Sequence, residues 1–134
     1  MDINVTIIKN ILIYLGINMP HILFESNLIE DCEDSTDRII KICNVLKAKS
    51  VVIGGGMSLE VHNWQRVVDK GINIYMQNYL AKHPVYTQSR RKQAGFQKGL
   101  SIIDAILNVG REKTKDFLVD DKYRPMLLEL KKNI

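Results

Sequence analysis

Apolar and polar positions fall in blocks along this chain, and the period changes from block to block. Val5, Ile8, Leu12 and Leu15 recur at the spacing of one helical face, and Gly16 follows as a stop. Ile22 to Phe24 is a short apolar run that predicts a strand. Next comes EDCEDSTD, five acids in eight residues, which belongs on the surface. Asp34 or Ser35 then caps a helix, with Asp37 in its first turn, where the dipole favours an anion. The buried stripe of that helix is predicted at Ile39, Ile42, Cys43 and Leu46.

Ser50 to Ile53 is a β-branched strand candidate, and three glycines follow it in SVVIGGGMSLE. Ser58 can cap a third helix with Val61, Trp64 and Val68 inward, and Gly71 ends it. Ile72 to Met76 alternates as a strand does, with Ile72, Ile74 and Met76 on one side. Residues 80–99 lack periodicity and predict a long loop, a kind of segment that is often functional in compact domains. Ser101 caps a fourth helix, with Asp104 as a capping-box variant, and Gly110 ends it. Arg111 to Leu118 and Pro125 to Lys132 predict two short surface helices. Helix and strand alternate, which points to parallel crossovers. The fold expected is α/β, a three-layer α/β/α arrangement with a small parallel sheet, Rossmann-like. One domain over residues 1–134 is expected from the length.

Composition changes this picture little; charge changes it more. The first 34 residues hold six acids and one base, and the remainder holds eighteen bases and nine acids. No acid occurs from Lys70 to Ile103, where six bases lie: Lys70, Lys82, Arg90, Arg91, Lys92 and Lys98. Such a stretch suits an anionic partner, although a solvated basic loop accounts for the same residues. The N-terminus carries an acid where a signal peptide carries bases, and no apolar run approaches the roughly 20 residues of a membrane span. A cytoplasmic location is expected. Cys32 and Cys43 have no zinc-site spacing and are expected as two buried or half-buried thiols, with a disulfide as the alternative.

In a parallel sheet, ligands gather beyond the carboxyl ends of the strands. Gly54, Gly55 and Gly56 fall there and offer unobstructed amides at a helix start, the geometry of a phosphate cradle. The pattern matches neither standard glycine-rich motif, and a tight turn explains it equally. In STDR, Arg38 can aim a guanidinium fork at a phosphate or carboxylate, and Asp37 can hold that fork or accept a proton. Helix capping with a surface ion pair is the alternative. His62 and His83 are lone histidines and are expected in surface roles. Tyr86 and Gln88 lie beside Arg90 and Arg91, an aromatic–basic mix that suits a nucleotide or a single-stranded nucleic acid. Nucleic acid is not the expected partner, because the bases cluster in one loop with no recognisable binding motif.

YLGI, HILFES, STDRIIKIC, VVIGGG, KGINI and GLSIIDAILNVG occur in this order. Together they resemble the WbqC-like protein family, over roughly residues 5–118. The resemblance implies surface polysaccharide (O-antigen) biosynthesis, with acyl or aminoacyl transfer to a nucleotide-linked amino sugar; it names no cofactor. It carries over Ser35, Thr36, Asp37 and Arg38 in one block, Gly54 to Gly56 in another, and Ser101 with Asp104 in a third. Family members are typically longer, with an N-terminal Gln-Pro…Pro…Gly segment that this sequence lacks, so a fragment or a shortened homologue is expected. Their "GG..LY" is here GGGMSLEVHNW, and Lys98-Gly99 stands where they have proline before LSI.

The site expected from both lines of reading has Asp37 as proton acceptor. Thr36, Arg38, Gly54, Gly55, Gly56, Arg90, Arg91, Ser101 and Asp104 contact an anionic small molecule such as a nucleotide-sugar. The alternative is a non-catalytic binding or assembly module, acting through self-association or a partner protein.

Overall fold

The computed structural model describes residues 2–89 and 91–130. They form two compact units, one from residues 1–21 and 79–123, the other from 22–78 and 124–134.

The first unit pairs α1 (Asp2–Leu15) with α6 (Ile102–Val119). Gly16, at φ +63°, stops α1: its N–H bonds the Ile13 carbonyl and the Ile17 N–H bonds that of Leu12, a Schellman pair. Leu15 is fully buried, which is worth roughly 1.5–3 kcal/mol for a side chain of this size. Ser101 caps α6 as predicted, its hydroxyl accepting from the Ile103 N–H at 3.3 Å. Gly110 (φ 80°, ψ 177°) breaks the helical path without ending it; the chain re-enters the helix at Arg111, and the Thr114 hydroxyl bonds the Gly110 carbonyl at 2.7 Å. The described residues from 79 to 101 are irregular apart from the one-turn α5 (Arg91–Ala94), the long loop expected.

The second unit holds α2 (Ser35–Val45), β1 (Ser50–Gly54), α3 (Ser58–Val61), α4 (Trp64–Asp69), β2 (Asn73–Gln77) and β3 (Met126–Leu127). The α/β expectation holds. β1 and β2 are parallel, Val51 beside Ile74 and Ile53 beside Met76, while β3 joins β2 antiparallel. The sheet is therefore mixed. Ile40 and Cys43 from α2 and Trp64 and Val67 from α4 bury against Ile53, Ile72 and Ile74.

Several local expectations are corrected. Residues 22–24 form no strand, because no neighbour pairs with them; a 3-10 turn (Glu25–Asn27) follows. Of the predicted helix at 125–132, residues 126–127 are the edge strand β3, held further by the Leu128 N–H on the Ile74 carbonyl; residues 131–132 lie outside the described residues. The third helix is two helices, because the Asn63 side chain caps a fresh start at Trp64 and shifts the buried stripe to Trp64 and Val67. Val61 and Val68 are exposed as a result. Ser58 is not the cap; its hydroxyl donates to the Gly54 carbonyl. In α2 the inward residues are Ile40 and Cys43, and Leu46 is exposed.

Candidate functional site

The candidate residues divide between the two units, and each group has its own chemistry. In the second unit, the start of α2 is tied to the segment after the glycine turn. Asp34 is the N-cap, accepting the Thr36 and Asp37 N–H groups at 2.8 and 2.7 Å. Its second oxygen pairs with Arg66 of α4. The buried Thr36 hydroxyl accepts the Asn63 N–H at 3.0 Å, and the Trp64 indole donates to the Ser58 carbonyl at 3.0 Å. Thus α2, the glycine turn and α4 are linked through α3. Thr36 has a packing role here that the sequence pattern did not signal.

The N–H groups at the cap hold the Asp34 carboxyl below the usual range, with Arg66 adding to the effect. Asp37 is lowered chiefly by Lys41, whose ammonium lies 2.9 Å away, and by the Glu33 N–H. A carboxylate held ionised in this way is a weak proton acceptor. Arg38 is exposed and pairs with Glu25 at 3.1 Å. The glycine turn is exposed as well. The Gly55 N–H is committed to the Gln77 carbonyl at 3.2 Å, and Gly56, at φ +90°, supplies the left-handed step that favours glycine.

The pair that sequence reasoning missed lies beside these residues. Ser35 Oγ, exposed, is 3.1 Å from Nδ1 of the half-buried His62, 27 positions away. The His62 ring meets the buried Trp64 ring edge to face at 5.0 Å, which limits its orientation. A hydroxyl at hydrogen-bond distance from an imidazole is the minimal nucleophile–base arrangement. His62 is half-buried here and was expected as a lone surface residue. Only the adjacency of Ser35 to the cap at Asp34 hinted that this hydroxyl would be presented at an edge.

In the first unit, Asp104 is a hub rather than a capping-box partner. Its carboxylate accepts the Tyr86 hydroxyl at 2.7 Å, the Gln88 amide at 3.2 Å and the Asn108 amide at 3.0 Å. The Gln88 side chain makes both hydrogen bonds to the backbone of Gln97, each at 2.8 Å, as a strand partner would. Residues 89–96 are thereby closed into a loop. It contains Lys92, which is exposed; Arg91 opens α5, and Arg90 lies outside the described residues.

The first unit also holds a cavity of about 110 Å³ lined by residues including Tyr79, His83, Tyr86, Ser101, Thr114 and Phe117. Tyr86 stacks on Phe117 at 5.8 Å and meets Phe96 at 5.6 Å. Burial raises the Tyr86 hydroxyl above its ordinary pKa, and its bond to Asp104 adds to that; burial also raises Tyr79. His83, also expected on the surface, sits half-buried among these rings with Nδ1 2.8 Å from the Pro84 carbonyl. That oxygen can only accept, so Nδ1 carries a proton. Among the described residues there is no cluster of His, Cys, Asp or Glu suited to a metal, and no helix is long and apolar enough to cross a membrane.

No curated protein and no solved structure matches the chain. The model of one family, described as the WbqC-like protein family, matches residues 1–116. That span contains α2 and its cap, the glycine turn, the Gln88 clip and the Asp104 hub, and on this match the chain belongs to the WbqC-like protein family.

Proposed function

We propose that the chain acts in building a bacterial surface polysaccharide, by moving an acyl or aminoacyl group onto a nucleotide-linked amino sugar. Family membership supports the general setting. The observation that carries the group-transfer reading is the Ser35–His62 pair, at 3.1 Å.

The Ser35 hydroxyl donates to Nδ1 in the His62 tautomer protonated at Nε2. When Ser35 Oγ attacks the carbonyl of an activated thioester, His62 takes the hydroxyl proton. The C–S bond breaks and the thiol leaves with that proton. The amine of the sugar then attacks the Ser35 ester, a C–N bond forms, and the amine proton passes through His62 back to the departing Ser35 oxygen. Each step uses a positioned acid or base of the kind that contributes ~10²–10⁴-fold to rate. Arg38 and Thr36 flank the pair in sequence, and Arg38 can exchange Glu25 for a diphosphate. Asp37 keeps Lys41 and the turn in place. Arg90, Arg91 and Lys92, and Ser101 with Asp104, remain from the sequence as further candidate contacts for an anion; Asp104 holds Gln88, which clips their loop.

Two measurements test it. Titration calorimetry with a UDP-linked amino sugar is expected to show binding that weakens in Arg38→Ala. Intact-mass analysis after incubation with an acyl thioester is expected to show one acyl adduct, lost in Ser35→Ala and slowed by ~10²-fold or more in His62→Gln. The absence of both binding and an adduct in the wild-type chain defeats the proposal.

A further inference from the structure

The first unit carries an apolar stripe that its own packing does not cover. On α1 the residues Ile3, Ile7, Asn10 and Tyr14 follow one another at steps of four, three and four, the spacing of a coiled-coil seam. Ile3 is 76% exposed, Ile7 46% and Tyr14 51%. α6 continues the same surface: Ile103 and Ile106 line a shallow groove with Ile7, Asn10, Ile11 and Tyr14. Leu107, one residue further along α6, is 80% exposed.

We infer that this face is a two-fold interface between copies of the chain. Three observations favour a second copy over another occupant. The seam residues themselves are uncharged: Lys9, the one base of α1, is not among them, and Arg111 stands over the Tyr14 ring at 6.0 Å at one end, where a polar rim begins. Asn10 stands alone among apolar seam residues, and a single seam asparagine paired with its own copy is a device that sets register and partner number. The area also fits. Side chains of this kind, half to four-fifths exposed, leave on the order of 400 Å² of apolar surface per copy. A standard interface buries about 800 Å² per partner, of which roughly 55–65% is non-polar. The stripe supplies most of that apolar share, and a polar rim supplies the rest.

Sedimentation equilibrium on the wild-type chain, from micromolar to submillimolar, is expected to give twice the 15.4 kDa chain mass. The dimer is expected to persist in 0.5 M salt, because the contact is apolar. Ile3→Glu, close to the chain start and far from the buried Leu15, and Leu107→Lys are each expected to return the mass to 15.4 kDa with an unchanged circular dichroism spectrum. Asn10→Leu is expected to keep association but broaden it beyond a dimer. A wild-type chain that is monomeric throughout overturns the inference. So does a dimer that dissolves in salt, or one that survives both charge substitutions.

Discussion

At the scale of single residues, Asp104 carries the heaviest load. Its carboxylate anchors Tyr86 and Gln88 from the loop and Asn108 from its own helix. Removing it strands partly buried donors, which costs ~1–3 kcal/mol each where no replacement partner is found. Asp104→Ala is expected to lower stability by about 2–4 kcal/mol in urea denaturation. It is also expected to raise amide exchange across residues 86–97 more than in β1 or β2. Titration tests two other residues. The raised Tyr86 pKa means a contribution that is complete below the ordinary tyrosine value and is lost as pH climbs through the folded value. Tyr86→Phe is expected to flatten the alkaline limb of the stability curve. Asp34 has the opposite sign: its lowered pKa gives stability above pH 3.8 that is lost as pH falls through the folded value. Asp34→Ala is expected to flatten the acid limb and lower the melting temperature. Cys43 is buried, with its thiol pushed up, whereas Cys32 is half-buried. Timed alkylation followed by mass analysis is expected to modify Cys32 first.

At the scale of elements, what could be read in advance depended on whether the deciding interaction was local. Glycines at 16 and 71 announced helix ends because a left-handed step is a property of the residue itself; both are closed by Schellman bonds. The cap at Asp34 and the strands at 50–54 and 73–77 were legible for the same reason. β3 was not, since a two-residue strand exists only through Tyr75 and Met76 on a distant stretch. Nor was the Ser35–His62 pair, which the break at Asn63 brings about, or the Asp104 hub, whose partners lie up to 18 positions away. Gly110 is an intermediate case: the stop was legible, the resumption of the helix was not. Its φ 80°, ψ 177° is open almost only to glycine. Gly110→Ala is expected to cost ~1–3 kcal/mol in chemical denaturation, although no atom lies within 4 Å of the added methyl group. The penalty is conformational, and smaller neighbours will not relieve it.

At the scale of the whole chain, each compact unit is assembled from two separate stretches. A cut at residue 78 leaves neither fragment with a complete first unit. Residues 79–134 keep α6 but lose α1, and they lose β1 and β2 as partners for β3. That fragment is expected to show little helix alone and to regain it when mixed with residues 1–78, as measured by circular dichroism. Interleaving of this kind makes closure of long loops a condition of folding, which slows it relative to a chain with local contacts.

The Gln88 clip has a consequence for how such a protein can diversify. A side chain closes the loop by gripping the backbone of Gln97, whatever residues lie between. The stretch between them is therefore a cassette: its length and charge can drift while the Gln88–Gln97 closure and the Asp104 hub stay in place.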